Sequence, residues 1–208
     1  MSITSPDAQP SPEDSARQAG DARDRADMER LIAGQDTALN DLMERHATPV
    51  FHFLCRMAGN EDDANDLAQE TFVRVFKSHD SFRTSGKFST WLFTIAANLA
   101  RNHFRWRSRH PGISLETENA ETEQTLGGTL PSDSPAPNEQ ALASERAGAV
   151  RVAVGKLPED LREAIVLCEW EERSVAEAAT ILETTPKAVE SRLYRARQLL
   201  RERLKSWL

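Results

Sequence analysis

The chain has 208 residues, with 26 basic and 33 acidic side chains and a formal net charge of −7, room for one ordinary domain or two small ones. No apolar stretch reaches the length of a bilayer crossing, and the opening MSITSPDAQPSPEDSARQAG lacks the apolar core of a secretory signal, so a cytoplasmic protein is expected. Cys55 and Cys168 stand far apart, with no CxxC or Cys/His cluster, which argues against a metal site or a disulfide framework and leaves both as buried thiols.

Residues 1–27 are rich in Ser, Pro, Asp, Ala and Gln and carry almost no large apolar side chain. Such a segment cannot offset its chain entropy by burial, and a disordered tail is expected there. From Met28 to about Arg109 the pattern turns helical, with Pro49 kinking or restarting the first helical region. A second helix is predicted over Glu61–Ser78, its leading acids favourable at a helix N-terminus. Leu67, Thr71 and Val75, with Phe72 and Phe76, form its core side, and Asp63, Asp66, Gln69 and Glu70 its exposed side. After the loop HDSFRTSGKFS a third helix starts near Ser89 or Thr90, with Leu92, Ile95, Ala96 and Leu99 inward. Its end carries Arg101, Arg105, Arg107 and Arg109 with Phe104 and Trp106 between them, and Asn98 and Asn102 alongside. Bases can stack on such rings while the arginines follow phosphates. Trp91 and Phe93 read as core instead.

The stretch from Pro111 to about Ser144 holds a Gly-Gly pair and several acids but no Lys or Arg, the composition of a flexible, solvated tether. Helical patterning returns near Glu139. Leu157, Leu161, Ile165 and Cys168 recur at three- and four-residue spacing. Ser174 with Glu177 forms a capping box ahead of Val175, Ala178, Ala179 and Leu182. After a break at Glu183–Thr184, Thr185 is a fitting N-cap with Pro186 at the first helical position. In the last helix Val189, Leu193, Ala196, Leu200 and Leu204 face inward. Lys187, Glu190, Ser191, Tyr194, Arg195, Gln198 and Arg201 face out, with Arg192 and Arg197 on the flanks. Seven basic residues against two acids from Thr185 to Leu208 make this end positive on an acidic chain. A short capped helix, a turn and a longer basic helix describe a helix-turn-helix, whose second helix reads the major groove. No segment shows the alternation of a strand, so an all-α protein of two small domains is expected.

Taken in register, DDANDLAQETFVRVF, FSTWLFTIAANLARNHF and LPEDLREAIVLCEWEERSVAEAATILETTPKAVESRLYRARQLL closely resemble the extracytoplasmic-function sigma factors of bacterial RNA polymerase. The resemblance covers 28–110, as a region 2 helical bundle, and 139–208, as a region 4 helix-turn-helix, with a linker at 111–138. It implies a subunit that binds core polymerase, through the β′ clamp helices and the β flap, and directs initiation at −10 and −35 promoter elements. Asp63, Asp66, Gln69, Glu70 and Val73 would dock on the clamp helices. Phe82 and Asn98 would hold a base flipped from the −10 element, at a cost of a few kcal/mol that a fitted pocket offsets. Lys87, Arg101, Asn102, Arg105 and Arg107 would hold the nearby strand. Ser191, Tyr194 and Arg195 would read the −35 major groove, with Lys187, Arg192 and Arg197 near phosphates. An anti-sigma factor is the further partner implied, and the free chain would be a monomer.

Two rivals remain at this level: a helix-turn-helix repressor that ignores polymerase, and a decoy that sequesters a regulator. The acidic Asp63–Glu70 face speaks against the first and the intact basic helix against the second. No GxSxG, HExxH or phosphate-cradling glycine loop occurs, so no enzyme, cofactor or small-molecule substrate is expected.

Overall fold

A computed structural model of the chain describes residues 12–110 and 137–207. The described residues are helices joined by short turns and loops, without a strand. Helices α1 (Pro12–Ile32), α2 (Ala38–Ala58), α3 (Glu61–Ser78) and α4 (Phe88–Arg109) form the first domain; α5 (Pro137–Gly155), α6 (Glu159–Ile165), α7 (Val175–Ile181) and α8 (Pro186–Arg203) form the second. The expected tether at 111–138 lies, but for its last two residues, outside the described residues.

The first core is aromatic and aliphatic: Leu42, Phe53, Leu54 and Met57 of α2 meet Phe72 and Val75 of α3 and Leu92, Phe93 and Ala96 of α4. Phe53 and Phe93 pack edge to face, 5.4 Å between ring centres. The expected disorder over residues 1–27 does not hold for 12–27, which run continuously into α1. What holds α1 is only partly apolar. Met28 and Leu31 are buried, and so are Asp24 and Asp27. Arg45 donates to Asp24 at 2.9 Å and to Asp27 at 2.5 Å, His46 lies 2.8 Å from Asp24, and Arg30 bridges Asp27 and Asp41. Burial alone would raise the Asp24 carboxyl, but His46 and Arg45 outweigh it and hold it below the usual range. A helix anchored by carboxylates leaves no apolar stripe to find. Residues 1–11 lie outside the described residues.

Helix α2 passes through Pro49 without restarting. Asn60 caps α3, its side chain accepting the Asp63 N–H at 2.8 Å. In the second domain α6 ends in a π-turn over Val166–Trp170. The capping box at Ser174 and Glu177 and the N-cap at Thr185, ahead of Pro186, both form as expected. Between α7 and α8, Glu183 takes φ +52°, with Glu183 N–H donating to Thr180 O and Thr184 N–H to Ala179 O. This is the Schellman arrangement that usually employs glycine.

The second domain lies directly on the first, α7 against α4. Arginines make much of the junction. Arg162 donates to Met57 O at 2.9 Å and sits over the Phe104 ring; Arg173 donates to Ser89 Oγ at 3.0 Å and covers Phe93; Arg56 covers Trp170 and reaches Glu171. Burial pushes the Arg162 and Arg173 guanidinium groups below their usual pKa.

Candidate nucleic-acid interface

Helix α8 is held by its apolar row and left free on the other side. Val189, Leu193 and Ala196 are buried, while Lys187, Ser191 and Arg195 are exposed and Tyr194 is 65% exposed. The Thr185 hydroxyl accepts the Ala188 N–H at 3.2 Å, which fixes where the helix begins and so where Lys187 and Ser191 point. Tyr194 OH accepts from Gln198 at 2.8 Å, keeping the ring along the helix. The two flanking arginines are engaged: Arg197 donates twice to Glu169, at 2.6 and 3.1 Å, and Arg192 lies 3.7 Å from Asp160. Both pairs sit at the surface, where such bonds are weak and exchangeable.

The residues expected to meet the −10 strand are disposed differently. Asn102 and Arg105 are exposed, Asn98 is half-buried, and Trp106 is 45% exposed and stacked on His110. Phe82 is buried, its ring against Phe88 and Trp91. The three remaining cations are paired with carboxylates of this chain. Arg101 Nε donates to Glu163 Oε1 at 2.8 Å, and its Nη2 reaches Ile181 O. Lys87 Nζ lies 2.9 Å from Glu177 and 3.2 Å from Asp21. Arg107 donates to Asp63 at 2.8 Å. Glu163 is buried on α6, and burial pushes its carboxyl up to about 7 against the pull of Arg101. Burial raises Glu177 too, but the bonds from Lys87 and Ser174 bring it to about 2. The sequence carries no local sign of Glu163 as a partner, since 62 positions separate it from Arg101.

On α3, Asp66 and Gln69 are exposed, Glu70 is paired with Arg74 at 2.9 Å, and Val73 and Phe76 present apolar surface. Asp63 departs from this ridge: it turns back to His103 and Arg107, and to the Asn60 side-chain amide at 2.6 Å. Beside the ridge runs an open apolar groove of about 260 Å³ between α2 and α3, lined by Met43, Phe51, Ala68, Gln69 and Phe72 among others. The ridge and α8's outward face are thus open, and the end of α4 is partly covered. Among the described residues no cluster of His, Cys, Asp or Glu could hold a metal ion, and no helix is long and apolar enough to cross a membrane.

Residues 42–110 match the family model of sigma-70 region 2, and residues 147–200 that of sigma-70 region 4. The chain is 34% identical to the ECF RNA polymerase sigma factor SigW of Bacillus subtilis, over 86% of its own length and 95% of that protein's. It is also 34% identical to the ECF RNA polymerase sigma-E factor of Haemophilus influenzae, over 87% and 95%. Among solved structures it is similar to CnrH in complex with the cytosolic domain of CnrY, with TM-score 0.66 and 27% identity over 88% of this chain and 98% of that one. A second is RpoE in complex with the anti-sigma factor NepR from Bartonella quintana, with TM-score 0.65 and 25% identity over 81% and 98%.

Proposed function

The chain belongs to the extracytoplasmic-function sigma factors of the sigma-70 family, and on that premise we propose which of its surfaces does each part of the work. As a sigma factor it binds core RNA polymerase and directs promoter-specific transcription initiation. The observation that carries the assignment of surfaces is the pairing of an open, capped recognition helix with an open acidic and apolar ridge on a different domain.

Helix α8 reads the −35 element. Arg195 and Tyr194 reach base edges from the major groove, Ser191 supports them, and Lys187, Arg192 and Arg197 hold phosphates after exchanging their surface carboxylates for DNA. Helix α4 and the loop before it hold the melted −10 strand. Asn98 and Phe82 shape the base pocket, while Lys87, Arg101, Asn102, Arg105 and Arg107 follow the backbone. Asp66, Gln69, Glu70 and Val73 dock on the β′ clamp helices, and the α2–α3 groove extends that face. Asp63 serves the ridge indirectly, by fixing the α3–α4 junction. The second domain meets the β flap. The chain works in the cytoplasm as a binding subunit rather than as an enzyme. An anti-sigma factor is its regulator, in keeping with the CnrY and NepR complexes of its structural neighbours.

Two exposed substitutions test the reading. Asp66→Lys with Glu70→Lys abolishes co-purification with core polymerase and run-off transcription, with stability lowered by no more than about 1 kcal/mol, since Asp66 is exposed and Glu70 loses only its half-exposed pair with Arg74. Undiminished co-purification would refute the docking assignment.

A further inference from the structure

The N-terminal half of α1 reaches beyond its own domain. Arg17 Nη2 donates to Glu172 Oε2 at 2.6 Å, joining α1 to the segment that precedes α7. One turn later Asp21 lies 3.2 Å from Lys87, whose second carboxylate partner, Glu177, belongs to α7. These pairs border a polar cavity of about 280 Å³ where α1, α4 and the second domain meet, walled also by His46, Ser89 and Arg173. Neither pair is needed to seat α1 on its own bundle. Asp24, Asp27, Met28 and Leu31, further along the helix, do that.

We propose that the N-terminal half of α1 is a clasp in cis that ties the second domain shut over α4 and holds Lys87 away from promoter phosphates. Lys87 is engaged from both sides, by Asp21 of the first domain and Glu177 of the second. DNA arriving at the loop must therefore displace both carboxylates, and displacing Glu177 loosens the domains. The clasp is weak by construction: Arg17, Glu172 and Lys87 are all more than half exposed. An exposed ion pair is worth up to about fivefold in an equilibrium; of the α1 pairs only Arg17–Glu172 crosses to the second domain, so α1 holds the closed form by up to about fivefold, while Asp21 keeps Lys87 occupied. A tie of that strength biases the free chain and still yields to polymerase. The effect on DNA rests on the assignment of Lys87 to the −10 strand; the effect on closure does not.

The test uses the full chain. Arg17→Ala with Asp21→Ala leaves the net charge unchanged, so general attraction to DNA is not altered. The pair should enlarge the radius of gyration in small-angle scattering. It should also tighten binding to a promoter duplex with an opened −10 region by about twofold to fivefold, a gain that shrinks near 0.5 M salt, where the Debye length falls to roughly 4–5 Å. Arg23→Ala with Glu29→Ala, both exposed and outside the clasp, should change neither. Arg17→Glu alone should open the chain, and adding Glu172→Arg should close it again. An unchanged radius in both opening variants, or no rescue by the charge swap, overturns the clasp. Opening without tighter DNA binding supports the clasp and refutes instead the assignment of Lys87 to DNA.

Discussion

Helix α8 and the C-terminal half of α4 carry the same chemistry in sequence: arginines, polar side chains and an aromatic ring facing outward. In the folded chain they part company. The α8 reading face stands in solvent, its inner arginines tied only to surface acids. The C-terminal half of α4 has given Arg101 to a buried glutamate and Arg107 to Asp63, and Lys87, just ahead of the helix, is held by two acids. A run of cations therefore reports affinity for polyanions but not availability, because the nearest polyanion is sometimes the chain itself. On the assignment proposed above, α8 would meet the −35 element without rearrangement, whereas the −10 surface would have to give up its carboxylate partners first.

The largest test of that contrast is Glu163→Ala. The Arg101 side chain is 19% exposed and that of Glu163 5%, and removing one member of such a pair costs about 3–5 kcal/mol. The closed form should be lost, read as a larger radius of gyration and greater protease access between the domains. A compact mutant would mean that α4 is no more covered than α8. Next in size, Arg195→Ala should cost about 1–3 kcal/mol of −35 affinity with relaxed sequence preference. Arg197→Ala, already occupied by Glu169, should cost under about 1 kcal/mol and leave preference intact; titrations of a −35 duplex and its base-substituted variants separate the two. Acid sharpens the covered side. Glu177 titrates near 2 in the folded chain against 4.5 as its ordinary value, so its contribution is whole above 4.5 and is lost as pH falls toward 2. Urea unfolding should show about 1–2 kcal/mol less stability at about pH 3 than at about pH 5, and Glu177→Gln should remove that part of the slope. The smallest effect concerns the α7–α8 turn: Glu183→Gly relieves a left-handed backbone and should add about 1 kcal/mol of stability, measured as a higher midpoint with −35 affinity kept.

What could be read beforehand was local. The bounds of α3, the Ser174–Glu177 box and the Thr185–Pro186 start each depend on residues within one turn of each other. The turn itself was legible in place but not in shape, since Glu183 occupies a conformation that glycine would have announced. Two things were hidden for one reason. The ordering of residues 12–27 into α1 rests on Asp24 and Asp27 meeting Arg45 and His46, and the covering of α4 rests on Arg101 meeting Glu163. Charged partners 18 to 62 positions apart leave no periodicity, so hydropathy assigns such residues to solvent. Asp63 illustrates the same gap: its position on the outward side of α3 was right, yet His103 and Arg107 draw the carboxylate inward.

The junction of guanidinium groups laid over Phe93, Phe104 and Trp170 carries a consequence for handling of the parted protein. Guanidinium groups laid on ring faces hold water better than leucine or isoleucine would. Were the domains to part, these guanidinium groups would keep that stretch of the newly exposed surface hydrated.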